Sequence, residues 1–404
     1  STTGRQRWLS TPCRAISFLA MTRFLAVIQL LLTSATAQSA ALQVGAEQPA
    51  RYLQLLAGKK VGLVVNQTSR VKQTHLVDFL VSRNVAVQAV FAPEHGFRGK
   101  LGAGEKVTDG TDPQTGLPIR SLYGKYKKPD QAMLEDIDLL VFDIQDVGAR
   151  FYTYISTLHY VLEAAAEQGI PVIVLDRPNP NGRYVDGPLR EAEFTSFVSL
   201  DPLPLLHGLT VGELAAMIKG EAWINQAQKL SLTVIPVAGY NKAVDYELPV
   251  APSPNLPNST AIRLYPSLCL FEATVVSIGR GTAWPFQVIG HNEVTLGDFT
   301  FTPQSMPESA PTPKLKGELL FGRDLRSSAI EGFNIELLYA VYQQFEEREQ
   351  TFIDRPDFFD LLSGTDKLRK QLTEGLDPAA IRATWQPGLD AFKAQRQPYL
   401  LYSQ

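Results

Sequence analysis

The stretch "FAPEHGFRGK", residues 91 to 100, brings together a carboxylate, an imidazole and a guanidinium. Glu94, His95 and Arg98 could hold a metal, form an acid catalyst with its helpers, or tie down a turn. Glycoside cleavage needs a carboxyl group that delivers a proton to the leaving oxygen. It also needs a second group that supports an oxocarbenium-like centre. A partly desolvated carboxyl stays protonated near neutral pH and meets the first need. Phe91 and Phe97 flank Glu94 and are candidates for that desolvation. The local alternative is a turn carboxylate paired with Arg98.

Further polar residues stand where apolar runs end. Asn66 follows "KVGLVV"; Asp143, Gln145, Asp146 and Arg150 follow "IDLLVF"; Asp176 and Arg177 follow "PVIVL". Arg98, Arg150, Arg177 and Arg280 offer planar forks suited to a carboxylate ligand, and each could instead pair with a nearby aspartate. Phe151, Tyr152 and Tyr154 could stack on a sugar, with core packing as the default. Glu94, His95, Asp143, Asp146 and Asp176 could also form a mixed oxygen and imidazole metal set. Against it, no H-E-x-x-H occurs and the five histidines are scattered. Adjacent residues on a strand extension also point in opposite directions, which suits Glu94 and His95 poorly to one metal. For Asp143 and Asp146 the alternatives are capping a helix that starts near Phe151 or pairing with Arg150.

Other chemistries lack their motifs. No G-x-G-x-x-G follows the first strand, no G-x-x-x-x-G-K-[ST] occurs, and there is no G-x-S-x-G elbow. Cys269, inside "SLCLFEA", reads as a small buried hydrophobe. The expectation is an enzyme with no metal and no cofactor.

The elements that must position these residues are legible. Four continuous apolar runs, 60–66, 86–92, 137–144 and 171–177, read as strands covered on both faces. Helical patterns such as "THLVDFLVSR" and "FYTYISTLHYVLEAAAEQG" separate them. The second stops at Gly169 with Pro171 beyond it. Strand-helix alternation predicts a parallel, doubly wound α/β sheet. In such sheets ligands bind beyond the carboxyl ends of the strands, so four polar strand ends point to one crevice. "TVGELAAMIKGEAWI" predicts a helix with a capping box from Thr210 to Glu213, and "LSLTVIPV" a further strand. Four prolines in 247–260 forbid a regular helix or central strand there and mark a boundary. Beyond it, "CLFEATVVSIGRG" reads as a strand ending in a glycine turn. "NIELLYAVYQQFEE", "DKLRKQLTEG" and "GLDAFKAQRQPYL" read as helices.

At 404 residues the chain has room for two domains, with 45% hydrophobic and 20% charged residues. A net charge of -3 gives no electrostatic case for nucleic acid. Residues 21 to 37 read as a signal peptide: Arg23, the apolar "FLAVIQLLL", then Ala35-Thr36-Ala37. The apolar run is too short to span a bilayer, so no stable membrane insertion is expected after cleavage. Residues 1 to 20 read as an upstream extension. The expected site of action is periplasmic or secreted.

"FAPEHGFRG", "TGLPIRSLYG", "LLVFDIQDVGARFYTYISTL", "VLDRPNPNG", "LHGLTVGELA", "APSPNLPN" and "YPSLCLFEATVVSIGRGTAWPF" occur in order, and "ATWQPGLDAFKAQRQPYLLY" follows near the end. In these segments the chain resembles the exo-β-N-acetylmuramidases of the NamZ type, a family long known as a domain of unknown function. "FEAT" stands where the family pattern has "FEGT". The resemblance implies a Rossmann-like domain, here 41–250, and a smaller C-terminal α/β domain, here 251–404, with the active-site cleft between them. It implies release of N-acetylmuramic acid from the non-reducing end of peptidoglycan fragments such as MurNAc-GlcNAc. It also implies that Glu94 of "PEHG" is the catalytic acid. With Asp143 and Asp146 as the other catalytic candidates, the substrate-binding candidates are Asn66, His95, Arg98, Tyr123, Gln145, Arg150, Tyr152, Arg177 and Arg280. Arg280 or Arg150 is the expected partner of the lactyl carboxylate. Asp143 or Asp146 would either orient the 2-acetamido group or attack directly. A non-catalytic wall-glycan binding protein and a metal-dependent hydrolase are the alternative readings. The glycine-rich stretch 99–118 is expected to wall off the pocket and enforce exo-action.

Overall fold

A computed structural model describes residues 41–98 and 109–404. The signal peptide and upstream extension lie outside the described residues, as does half of the expected lid, 99–108. The runs rich in β-branched residues form the strands β1 (Lys60–Val65), β2 (Ala86–Ala92), β3 (Gly110–Thr111), β4 (Pro118–Ser121), β5 (Leu139–Asp143), β6 (Val172–Leu175) and β7 (Leu232–Ile235). They make one sheet in the order β7-β6-β5-β1-β2-β4-β3, parallel except for the antiparallel edge pair of β3 and β4. In register, Val64 of β1 lies between Phe91 of β2 and Phe142 of β5. Because both faces are covered, the apolar residues run continuously along the central strands instead of alternating.

Helices α1 (Pro49–Leu56), α2 (Leu76–Ser82), α3 (Tyr154–Gln168) and α4 (Val211–Gly220) belong to this portion. The stop of α3 is the one its sequence signals: Gly169 takes φ +69° and its N–H donates to the Ala165 carbonyl, a conformation that costs glycine no Cβ clash. Thr210 and Glu213 form the expected capping box of α4. The central topology changes direction at β1. The chain steps outward to β2 on one side and later returns to place β5, β6 and β7 on the other.

After the proline-rich 247–260, Asn258 caps α5 (Ser259–Leu268). Three antiparallel strands follow, β8 (Val288–His291), β9 (Phe299–Phe301) and β10 (Leu320–Asp324), in the order β8-β10-β9. Helices α6 (Ile335–Glu347), α7 (Pro356–Ser363), α8 (Lys367–Thr373) and α9 (Pro378–Arg396) complete the chain. One hydrophobic cluster runs from Phe91, Phe142 and α3 through α5 to Phe345 and Trp385. A smaller cluster holds the other sheet face with α2. Leu42–Gln404 therefore packs as one unit.

The expected strand in "CLFEATVVSIGRG" does not form. Cys269–Ala273 is a 3-10 helix continuing α5, and only Ser277 makes an isolated bridge, to Gly290. A buried apolar run gives no periodicity to separate a strand from a helical turn. Here the Thr274 hydroxyl donates to the Phe271 carbonyl and accepts from the Val276 N–H, which closes the turn locally.

The carboxyl terminus crosses back to the sheet. The Tyr402 hydroxyl donates to Asp176 Oδ2 at 2.5 Å and accepts from the Val237 N–H, while the Leu401 N–H donates to Glu213. Thr210 and Gly212 also donate to Asp176. Asp176 thus fastens the chain end and contributes to no metal set. Among the described residues, no three His, Cys, Asp or Glu side chains gather in a metal-binding arrangement.

Candidate active site

At the end of β2, Pro93 to Gly96 form a tight turn closed by the Gly96 N–H donating to the Pro93 carbonyl at 3.1 Å. His95 takes φ +69° and Gly96 φ +76°. A left-handed histidine is uncommon and strained, and such residues concentrate at functional sites. The turn also corrects the expected divergence of Glu94 and His95. The positive φ carries His95 off the strand path, so both side chains line one cavity, with Nε2 3.9 Å from Glu94 Oε1. The Glu94 side chain keeps 16% of its surface exposed, shielded yet reachable.

Glu94 receives the Thr153 hydroxyl at 3.2 Å on Oε2. Thr153 occupies the N-cap of α3 without capping it, which leaves its hydroxyl for Glu94. Tyr123, after β4, hydrogen-bonds Glu94 as well. Its phenol is pushed up to about 12, by burial first and by the Glu94 carboxylate second. Tyr123 thereby keeps its proton across the neutral range and donates a hydrogen bond to this carboxyl.

The cavity is about 810 Å³, the size of a small-ligand site. Its sheet-side wall comes from Glu94, His95, Tyr123, Phe151, Tyr152 and Thr153. The opposite side comes from the proline-rich segment and beyond: Ser253, Asn255, Tyr265, Phe286 and Phe358. Glu272 and Arg280 lie there too, paired at 2.6 Å, with Arg280 5.1 Å over the Phe286 ring. Lys127 and Arg355 add two further cations. The pocket therefore combines aromatic surfaces, two carboxylates and several fixed donors, an arrangement suited to a sugar.

Of the residues singled out in the sequence, Glu94, His95, Tyr123, Phe151, Tyr152, Cys269 and Arg280 line this cavity. The others are placed behind it. Asp143 is fully buried and bidentate with Arg177, whose Nε and Nη2 reach Oδ1 and Oδ2 at 2.6 and 3.0 Å. Both expected roles, catalysis for Asp143 and substrate binding for Arg177, give way to a structural ion pair. Arg150 is buried without a carboxylate, its guanidinium donating to the carbonyls of Pro188, Leu203 and Leu362. It stitches three segments together and does not line the cavity. Arg98 pairs with Asp112 at 3.0 Å and lies 4.4 Å over the Phe97 ring, so it is neither a ligand group nor the partner of Glu94. Asn66 accepts from Thr68 at the β1 end, and Gln145 donates to the carbonyls of Asp146 and Pro178. The polar strand ends nearest the switch in strand order thus build the floor, because the chain crossing them satisfies their hydrogen bonds. Phe91 and Phe97 enter the two hydrophobic clusters and do not line the cavity.

Asp146 is buried behind the pocket walls. Oδ2 accepts from the Gly148 N–H, and Oδ1 lacks a side-chain or backbone partner at hydrogen-bond distance among the described residues. Burial pushes its carboxyl up to about 7, against the backbone N–H groups of Gly148 and Val147, which pull it down. The folded state therefore holds this proton more tightly than the unfolded chain. Its contribution is present in acid and lost as pH rises towards 7. In Asp146→Asn this loss disappears. Urea unfolding should show the variant gaining about 2–3 kcal/mol on the parent between about pH 5 and about pH 8. A constant difference would show that Asp146 titrates normally.

The strain at His95 is testable separately from its chemistry. Both His95→Ala and His95→Gly remove the imidazole, but only glycine relieves the left-handed backbone. The glycine variant should be the more stable by about 1 kcal/mol in thermal or urea unfolding, with both impaired in turnover. Equal stabilities would place no strain at this position.

Sequence reasoning missed Thr153, Glu272, Lys127 and Arg355. Glu272 carried a signal, a lone acid in a buried apolar run eight residues before Arg280. Thr153 carried another, a hydroxyl residue at a helix start.

The chain matches the family model described as "Exo-beta-N-acetylmuramidase NamZ, N-terminal" over residues 61–260 and its C-terminal counterpart over 263–402. It is 37% identical to the peptidoglycan beta-N-acetylmuramidase NamZ of Bacillus subtilis (strain 168) over 373 residues, 87% of this chain and 89% of that protein. Two crystal structures of DUF1343 family proteins from Bacteroides fragilis NCTC 9343 share the fold. One has a TM-score of 0.81 at 42% identity, covering 90% of this chain and 99% of that one. The other has a TM-score of 0.78 at 32% identity with the same coverage. With both family models matched in order across the sheet portion and the C-terminal portion, the chain belongs to the exo-beta-N-acetylmuramidase NamZ family.

Proposed function

We propose that the pocket around Glu94 releases N-acetylmuramic acid from the non-reducing end of peptidoglycan fragments, with Glu94 as the general acid. The chain is a glycoside hydrolase by family. The observation that carries the residue assignment is Glu94 itself: a shielded carboxyl at a strained turn, bonded by Thr153 and Tyr123 and facing an aromatic cavity. Glu94 gives its proton to the glycosidic oxygen as the C1–O bond breaks and positive charge develops at C1 and the ring oxygen; water then adds to C1, and its proton returns to the Glu94 carboxylate.

Two carboxylates line the cavity in unlike surroundings. Glu94 is met by hydroxyls and an imidazole, and Glu272 by the Arg280 guanidinium. Glu272 is then the partner that steadies the developing charge or orients the 2-acetamido group of the substrate. This replaces Asp143 and Asp146, which do not line the cavity.

Residues 21 to 37 support an enzyme that works in the periplasm or outside the cell. No helix among the described residues is long and apolar enough to cross a membrane. The direct test of the activity is the disaccharide MurNAc-GlcNAc. Equimolar release of the two sugars supports the reading; intact disaccharide after prolonged incubation would sink it.

A further inference from the structure

Among the described residues, three cations line the cavity: Lys127, Arg280 and Arg355. Arg280, the sequence-based candidate for the lactyl carboxylate, is already engaged. Its Nε and Nη2 both lie within 2.7 Å of Glu272 Oε1. Lys127 and Arg355 have no ion-pair partner among the described residues; the neighbouring Lys128 takes Glu163 and Glu167. Each is instead poised on an aromatic ring, Lys127 4.6 Å from the Phe197 centroid and Arg355 4.3 Å from that of Phe358.

The two differ in what they can recognise. An ammonium is a point charge, whereas a guanidinium offers two parallel N–H bonds to a carboxylate. Stacking on Phe358 restricts the Arg355 fork before any ligand arrives, which lowers the ordering cost of binding. The Arg355 backbone is fixed as well. Its N–H donates to the Ala273 carbonyl at 3.2 Å, beside Glu272, and Pro356 opens α7 directly after it. The side chain remains exposed. This is a held base carrying a free charged head.

Resting on the reading that the pocket takes a terminal N-acetylmuramic acid, we infer that Arg355 is its specificity-determining residue. The Arg355 guanidinium binds the carboxylate of the lactyl ether, the group that separates N-acetylmuramic acid from N-acetylglucosamine. Glu94 comes from the sheet portion and Arg355 from the C-terminal portion. A sugar seated between them meets the proton donor from one side and the selecting cation from the other.

The test is a binding titration, which needs no turnover. N-acetylmuramic acid and its lactyl carboxamide are titrated into the parent protein, Arg355→Met, Arg355→Lys and Lys127→Met. The parent should prefer the acid. Arg355→Met should lose about 10- to 100-fold in affinity for the acid, the scale of a charge-assisted hydrogen-bonded pair, and bind the carboxamide as the parent does. Retained carboxamide binding shows that the pocket is intact. Arg355→Lys should recover part of the preference, and Lys127→Met should keep it. Parent-like preference in Arg355→Met, or its loss in Lys127→Met, overturns the assignment alone. A parent protein that binds neither sugar overturns the reading of the pocket and the Arg355 assignment with it.

Discussion

Glu94→Gln is expected to lower turnover of MurNAc-GlcNAc by about 10³-fold, within the range that a positioned general acid contributes. The substitution is nearly isosteric. The amide still accepts the Thr153 hydroxyl that reaches Oε2 at 3.2 Å, so the turn and the pocket should persist. Substrate affinity should change little, and the loss should fall on kcat. Full activity in Glu94→Gln would remove the acid from this residue and leave Glu272 as the carboxylate to examine.

The second large effect concerns stability. Asp143 is fully buried and its partner Arg177 nearly so, and Arg177 Nη2 also donates to the Arg70 carbonyl. Asp143→Leu leaves a buried guanidinium without its counter-ion and should destabilise the fold by about 3–5 kcal/mol. Replacing both, as Asp143→Leu with Arg177→Met, should recover most of that loss, since a buried pair exchanged for apolar side chains is often close to neutral. Denaturant unfolding of the two single variants and the double isolates the coupling. The same double variant also separates structure from chemistry. Per folded molecule it should turn over close to the parent rate. A folded but inactive double variant would return Asp143 to the catalytic machinery.

Much of the fold was legible because the central strands are buried on both faces and bounded by strong stops. The run 86–92 became β2 at those same limits, and Gly169 ended α3 as its sequence implied. The segment after Pro266 was not legible. Its β-branched residues suggest a strand, but burial on all sides and the Thr274 turn decide otherwise. For the site, the place of Glu94 on a cavity wall could be read from its strand end, whereas the flanking Phe91 and Phe97 enter the hydrophobic clusters. The rule that ligands lie beyond strand carboxyl ends named the right edge of the sheet, yet it could not say which polar groups would be used up by one another. Asp143 and Arg177 stand 34 residues apart and satisfy each other. Arg150 satisfies backbone carbonyls up to 212 residues away. Such pairings depend on tertiary packing that no local pattern encodes. The same holds for Arg355, whose role depends on Arg280 being held by Glu272.

The most direct test of Glu94 as the proton donor is a leaving-group series. Aryl N-acetylmuramides with phenols of graded acidity are hydrolysed by the parent protein and by Glu94→Gln. A donor to the leaving oxygen makes the parent rate nearly insensitive to the phenol. The variant should depend steeply on it and approach the parent rate with the most acidic phenol. Parallel dependence in both proteins, with Glu94→Gln slower by a constant factor, would contradict proton donation by Glu94.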